Sequence, residues 1–218
     1  MGYVLYGDIG SGSATAEMAL AEIGAPVELR DVPLAGEAQL AAEYRALNPM
    51  GRVPTLVLPD GTVVTESLAV LLTLCDRHPE AGLLPPPDGP SGDPGRAKAL
   101  RWMALLAGEF YPCVTRYDYP ERFSDDPAHA PSIRARALEM GRAVWRVVED
   151  NAAPDPFVLG TRFSVADIYV AVLSQWTRGQ ATNPVEHPRV SALVRRVAAR
   201  PAIAPVWAKH FGGRGLEG

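Results

Sequence analysis

The spacing of apolar positions changes about a third of the way along this chain, and the change divides it in two. Before the change, short runs of β-branched and aromatic residues alternate with longer segments of helical period. Tyr3-Val4-Leu5-Tyr6 is the first short run, and it ends in GDIGSGS, residues 7–13, a loop of small residues where backbone can approach a ligand closely. Ala14 to Gly24 reads as a helix of good formers with Gly24 as its stop. Val27 to Val32 is a second strand, and strand, helix, strand predicts a parallel unit with a right-handed crossover. Within residues 37–47, Leu40, Tyr44 and Leu47 recur at helical spacing and predict a short helix. Two further β runs, Thr55 to Leu58 and Thr62 to Val64, flank Asp60-Gly61, a strong hairpin signal. Thr65-Glu66-Ser67 then opens an apolar helical run through Leu68, Val70, Leu71, Leu72 and Leu74. The order β-α-β-α-β-β-α predicts a mixed sheet covered by helices on both faces.

After this the pattern changes. Residues 81–95, AGLLPPPDGPSGDPG, are too rich in proline and glycine to continue a helix and read as a linker. Helical patterns follow over Arg96 to Val114, Ser132 to Asn151, Ser164 to Gly179 and Pro188 to Arg200, with no β alternation of comparable strength, so an all-α helical-bundle domain is predicted. Ser164 and Asp167 have the spacing of a capping box. The expected division is a domain over 1–82, a linker over 83–95 and a helical domain over 96–218.

Composition narrows the function classes. The chain has 218 residues, 47% of them hydrophobic, which is ample for packed cores. Net charge is −4, and no stripe of Lys or Arg could neutralise a phosphate backbone, so nucleic acid is disfavoured as a partner. No leader pattern or run of membrane-spanning length is visible, which makes the cytosol the default location and leaves a membrane partner unsupported. Cys75 and Cys113 are far apart, without CxxC spacing, and read as small buried hydrophobes. His78, His129, His187 and His210 show no ligand spacing, and no metal site is expected.

Two features of the segment between Asn48 and Leu74 suggest a ligand. Val53-Pro54 stands at a strand entry, where proline withholds a ladder donor and a cis peptide is an option. Glu66-Ser67 at a helix start offers an acceptor, a hydroxyl and free backbone N–H groups suited to a carboxylate or an amino-acid headgroup. In this order, Asn48-Pro49-Met50-Gly51-Arg52-Val53-Pro54 and Glu66-Ser67 resemble the glutathione-binding half of the glutathione S-transferase family. Leu159 to Asp167 likewise resembles that family's buried helix start in its C-terminal domain. The resemblance implies an α/β thioredoxin-like N-terminal domain with Pro54 cis. It also implies that the Val53 main chain pairs with the cysteinyl part of glutathione, beside Arg52, and that Glu66 and Ser67 hold the γ-glutamyl end. A homodimer is implied as well.

Glutathione as co-substrate demands thiolate, because an ordinary Cys-type thiol has a pKa of about 8.5 and each unit of lowering takes about 1.4 kcal/mol of preferential stabilisation. A hydroxyl and a helix N-terminus aimed at the sulfur supply it. Ser11 is the first candidate, at the position that resembles the serine of serine-type members; Ser13 is second and also reads as the helix cap. Tyr6, where tyrosine-type members carry their hydroxyl, is third. The loop has no Cys, which disfavours thiol-transfer chemistry through a mixed disulfide. An apolar electrophile pocket is expected from the aromatic cluster over residues 110–123, with Phe110, Tyr111, Arg116 and Tyr117 as its candidate contacts. The function expected is attack of the thiolate on a small apolar electrophile. The alternatives are a non-catalytic binding or scaffold protein, and a glutathione-dependent isomerase or dehalogenase.

Overall fold

A computed structural model of the chain describes residues 2–87, 94–152, 155–176 and 185–214. The first strand, β1 (Tyr3–Gly7), is followed by α1 (Ser13–Ile23) and β2 (Val27–Asp31). Next come two short 3-10 turns, α2 (Ala42–Leu47), the hairpin β3 (Thr55–Val57) and β4 (Val63–Thr65), and α3 (Ser67–Arg77). The sheet order is β2-β1-β3-β4, with β1 parallel to β2 and antiparallel to β3, and β3 antiparallel to β4. This is the mixed sheet that the alternation of elements predicts, in the thioredoxin-like form that the family resemblance implies. Leu5 and Leu56, partners in register, are buried at its centre. On one face α1 and α3 lie against each other and bury Met18, Leu20, Val70, Leu71 and Leu74. Side chains alternate along a strand, so Tyr6 emerges on the other face, where its ring meets Tyr44 of α2 at 6.0 Å.

The helical part begins with α4 (Gly95–Leu105), which runs through one π-helical turn, Leu106–Phe110, into α5 (Tyr111–Asp118). The long amphipathic α6 (Ala130–Asn151) follows, then α7 (Val165–Leu173) and α8 (Pro188–Ala198). All nine residues of α7 are buried, as its sequence, apolar but for Asp167 in the first turn, requires. Its start is closed by the expected capping box. The Asp167 carboxylate receives the N–H and hydroxyl of Ser164 at 2.7 and 2.8 Å and the N–H of Val158 at 2.7 Å. Glu149 of α6 does the same for α8, taking the N–H groups of Arg189 and Val190 on its two oxygens.

The chain forms two compact units, Met1–Asp88 with Ala198–Gly213, and Gly89–Val197 with Arg214–Gly218. A helical domain continuous over 96–218 therefore does not describe the packing: a ninth helix, α9 (Ala204–Phe211), belongs to the first unit. It buries Trp207 and Phe211 there, and the preceding turn places Arg200 on Glu22 through two bonds of 2.7 Å.

Three local expectations change. The helix read over 37–47 shortens to α2, because Glu37 adopts a left-handed conformation (φ 54°) and Ala41 an extended one. Helix α1 begins at Ser13 with Gly12 as its cap, so Ser13 is not the capping residue. Two helix ends move: the one expected at Val114 continues to Asp118 after its π turn, and the one expected at Gly179 falls at Leu173; linker residues 88–93 lie outside the described residues.

Candidate active site

Strand polarity gathers the site. The C-terminal end of β1, the N-terminal end of β3 and the C-terminal end of β4 lie at one end of the sheet, as the pairs Tyr6–Thr55 and Thr55–Thr65 require. Neighbouring strands are about 4.8 Å apart. The loop bearing Ser11, the Val53-Pro54 peptide and Glu66-Ser67 are therefore brought side by side, although they span 56 residues of sequence (11 to 67).

The first of these segments is a tight serine loop. The Ser11 hydroxyl lies 2.8 Å from the Asp8 carbonyl, to which it donates, and accepts from the N–H groups of Asp8 and Ser13 at 3.3 Å. The Ser13 hydroxyl is 2.9 Å from that of Ser11 and 3.2 Å from the same Asp8 carbonyl. Ser13 is buried and Ser11 half-buried, so Ser11 is the hydroxyl that can turn its proton outward while Ser13 donates to it from behind. Gly7 makes room for this pair: a Cβ there would lie 2.2 Å from the Ser13 side chain. Asp8 fastens the loop, its two carboxylate oxygens accepting from the N–H groups of Ile9 and Leu34 at 2.8 Å.

Tyr6 is not brought to this loop. Its hydroxyl accepts from Arg30 at 2.7 Å, and its ring lies beneath that guanidinium in a cleft of about 620 Å³ shared with Val32, Tyr44 and Leu47. The opposite strand face is the physical reason.

The second segment is held from beneath. The Val53–Pro54 peptide is cis. The carbonyl of Arg52 accepts from the Tyr44 hydroxyl at 2.6 Å and from the Asn48 amide at 2.8 Å, and both donors also reach the Thr55 hydroxyl. Gly51, at φ 58°, packs so close that a Cβ would lie 3.0 Å from the Gln39 carbonyl. Among the described residues no group hydrogen-bonds the main-chain N–H or C=O of Val53. Tyr44→Phe is expected to cost about 1–2 kcal/mol of stability by leaving the Arg52 carbonyl short of a donor. Chemical denaturation measures that loss.

The third segment stores strain. Glu66 precedes α3 with φ 63° and ψ 114°, a conformation that costs a non-glycine residue roughly 1–3 kcal/mol. The conformation leaves the Glu66 side chain exposed and making no cap to α3, whose leading N–H groups form a positive end.

In the second unit the aromatic cluster separates into core and surface. Phe110 is not a pocket residue: it is wholly buried, edge-on to Trp145 at 4.9 Å and packed over Gly141. Tyr111, Arg116 and Tyr117 are half-buried, with Tyr111 edge-on to Trp176 at 4.9 Å and the Arg116 guanidinium over Phe123 at 5.1 Å. Both cysteines are buried and unpaired by disulfide. Among the described residues no helix is long and apolar enough to cross a membrane.

A thioredoxin-like sheet with a cis-Pro entry, a serine loop and a strained helix start, followed by a helical bundle, defines a class of protein, and the comparisons agree. Residues 13–77 match the family described as Glutathione S-transferase, N-terminal domain, and residues 131–210 match Glutathione S-transferase, C-terminal domain. The chain belongs to the glutathione S-transferase family. The Escherichia coli protein named glutathione S-transferase GstA is 30% identical over 164 residues, 74% of this chain and 75% of its own. A maleylacetoacetate isomerase of Pseudomonas aeruginosa is 40% identical over 163 residues, 73% of each chain. Among solved structures, a glutathione transferase homologue from Sulfitobacter with bound glutathione superposes with a TM-score of 0.86 at 29% identity, over 95% of this chain and 97% of that one.

Sequence reasoning missed Asp8, Tyr44 and Thr55 as supports of the site. Asp8 carried a usable signal, an Asp within a glycine-rich turn. Tyr44 and Thr55 did not, since the Tyr44 hydroxyl finds the Arg52 carbonyl, and the Thr55 hydroxyl finds Tyr44, only through the fold.

Proposed function

We propose that this chain is a glutathione transferase whose first unit binds glutathione and whose second unit supplies the electrophile pocket, with Tyr111, Arg116 and Tyr117 on its wall. The observation that carries this reading is the unpaired main chain of Val53 next to Pro54. An extended peptide backbone can add to it by one donor and one acceptor. The γ-glutamyl carboxylate then meets the positive end of α3 at Ser67, and the γ-glutamyl ammonium meets the exposed Glu66 carboxylate. The Arg52 guanidinium is exposed on the same turn, for the glycyl carboxylate. This leaves the thiol toward the serine loop, where Ser11 donates to the thiolate and Ser13 donates to Ser11.

In conjugation the thiolate forms a carbon–sulfur bond and the electrophile's leaving group departs with the electron pair. The family's dimeric assembly and a cytosolic location belong to the same reading. A second reading, cis–trans isomerisation, is favoured by the 40% identity to a named isomerase. There the thiolate adds to a conjugated double bond, the resulting single bond rotates, and elimination returns the thiolate. Assays with an aryl halide and with a cis-configured conjugated diacid separate the two.

Calorimetric titration with glutathione tests the shared premise. Glu66→Gly gives the sharper form: removing the strain and the carboxylate together should weaken glutathione at least about tenfold while leaving stability within about 1 kcal/mol of the parent. Undiminished affinity in that variant overturns the assignment of Glu66.

A further inference from the structure

Helix α9 reaches the serine loop from the far end of the chain, within the first compact unit. The buried ring of His210 has both nitrogens engaged, Nδ1 3.1 Å from the Gly10 amide nitrogen and Nε2 2.9 Å from Glu17 Oε2. A backbone N–H only donates, so Nδ1 is an acceptor and Nε2 carries the ring hydrogen toward Glu17. Glu17, on α1, also receives Lys209 Nζ on both oxygens at 2.9 Å. Burial pushes the Glu17 carboxyl up, and the hydrogen bonds from His210 and Lys209 more than offset it, so the group stays below the ordinary range and ionised. Asp8 and Asp31 lie at the same corner, around a cavity of about 20 Å³.

Gly10 directly precedes Ser11 and sits at φ 73°, in the loop of small residues that carries both serine hydroxyls. We propose that His210 is a positioning residue for the thiol-activating loop: anchored on Glu17, it holds the Gly10 N–H and thereby fixes where the Ser11 hydroxyl points. The inference rests on the reading of Ser11 as the activating hydroxyl. It gives α9 a task in the reaction, and it makes the C-terminal segment part of the glutathione site's support although it lies 200 residues from the loop.

The test uses the full chain and three variants. His210→Phe keeps a ring and loses both hydrogen bonds, His210→Asn retains a carbonyl near the Nδ1 position, and His210→Gln reaches Glu17 but not Gly10. The readouts are amide exchange at Gly10, the thiol pKa of bound glutathione from thiolate absorbance, and kcat and KM in conjugation. His210→Phe should speed Gly10 exchange about tenfold. It should raise the bound thiol pKa by about 0.5–1 unit. It should lower kcat about fivefold to tenfold with the glutathione KM within about twofold of the parent. Asn should restore most of this and Gln should not.

Parent-like thiol pKa and kcat in His210→Phe, with Ser11→Ala shifted, overturn the proposal and leave the Ser11 reading intact. Equal impairment of Asn and Gln also overturns it, since packing alone then explains the loss. If Ser11→Ala changes nothing, the Ser11 reading fails, and Gly10 exchange decides the positioning separately: acceleration in Phe with recovery in Asn upholds it, and unchanged exchange sinks it. Should His210→Phe not fold, the Asn and Gln comparison decides by the same criteria.

Discussion

Ser11→Ala raises the thiol pKa of bound glutathione by about 1–2 units, since a hydrogen bond to a charged group is worth about 1.5–3 kcal/mol. The thiolate is the nucleophile, so its fraction at neutral pH falls with that shift and kcat drops, by about a hundredfold when lost transition-state stabilisation is added. The sign across pH follows. A raised thiol pKa moves the rising limb of the rate profile to higher pH, and the gap between variant and parent narrows above it. Stopped-flow thiolate absorbance and a pH series of kcat measure both. Glutathione affinity should change little, because in the proposed site Val53, Glu66 and the start of α3 are the groups that hold the rest of the ligand. Ser13→Ala should produce a smaller shift in the same direction, because it leaves the Ser11 donor in place and removes the hydroxyl 2.9 Å behind it. A larger effect from Ser13→Ala than from Ser11→Ala would exchange their roles.

The largest loss of stability is expected at Asp167, in the second unit. Three buried donors converge on its carboxylate, and Asp167→Ala leaves them without an acceptor, which should cost about 3–5 kcal/mol. The pH dependence has a definite sign. Burial pushes the carboxyl up, to about 6, against the three hydrogen bonds that favour the anion. A carboxyl raised above its unfolded value of 3.8 binds a proton more tightly in the folded state. Its contribution is therefore fully present below that value and is lost as pH rises through about 6, by roughly 3 kcal/mol. Asp167→Asn removes the titration, so its destabilisation relative to the parent should be larger at pH 4 than at pH 7. Urea unfolding of both proteins at the two pH values checks this. A difference that instead grows with pH would mean the three donors prevail over burial.

These two sites differ in how far the sequence alone exposes them. The capping box is local: Ser164 and Asp167 are three residues apart at the head of an apolar run, and helical geometry alone makes them meet. The hairpin at Asp60-Gly61, the glycine stop of α1 and the parallel unit of β1, α1 and β2 are likewise short-range, and each formed where its residues predict. Val53-Pro54 and Glu66-Ser67 were legible as a pair because a fixed motif and a fixed spacing mark them. Lengths were less legible. The expected helix over 37–47 gave way to 3-10 turns, because Glu37 and Ala41 take backbone conformations that no periodicity reveals.

Long-range placement is where the fold decides. Tyr6 and Ser11 are five residues apart and equally plausible as hydroxyls, yet strand alternation sends one to Arg30 and Tyr44 and leaves the other in the loop. Phe110 belongs to an aromatic cluster in sequence and to the core beside Trp145 in space. Tyr44 supports the Arg52 carbonyl and is itself met by the Thr55 hydroxyl, and His210 holds Gly10, through contacts between segments that only the assembled sheet and α9 bring together. The amino-acid sequence by itself determined the order of elements, their caps and turns, and the motif of a glutathione-binding half, because those depend on residues within a few positions of one another. Which hydroxyl faces the site, which aromatic is core, and that the last helix braces the first loop were decided by the tertiary structure, because side-chain direction and packing partners depend on residues up to 200 positions apart.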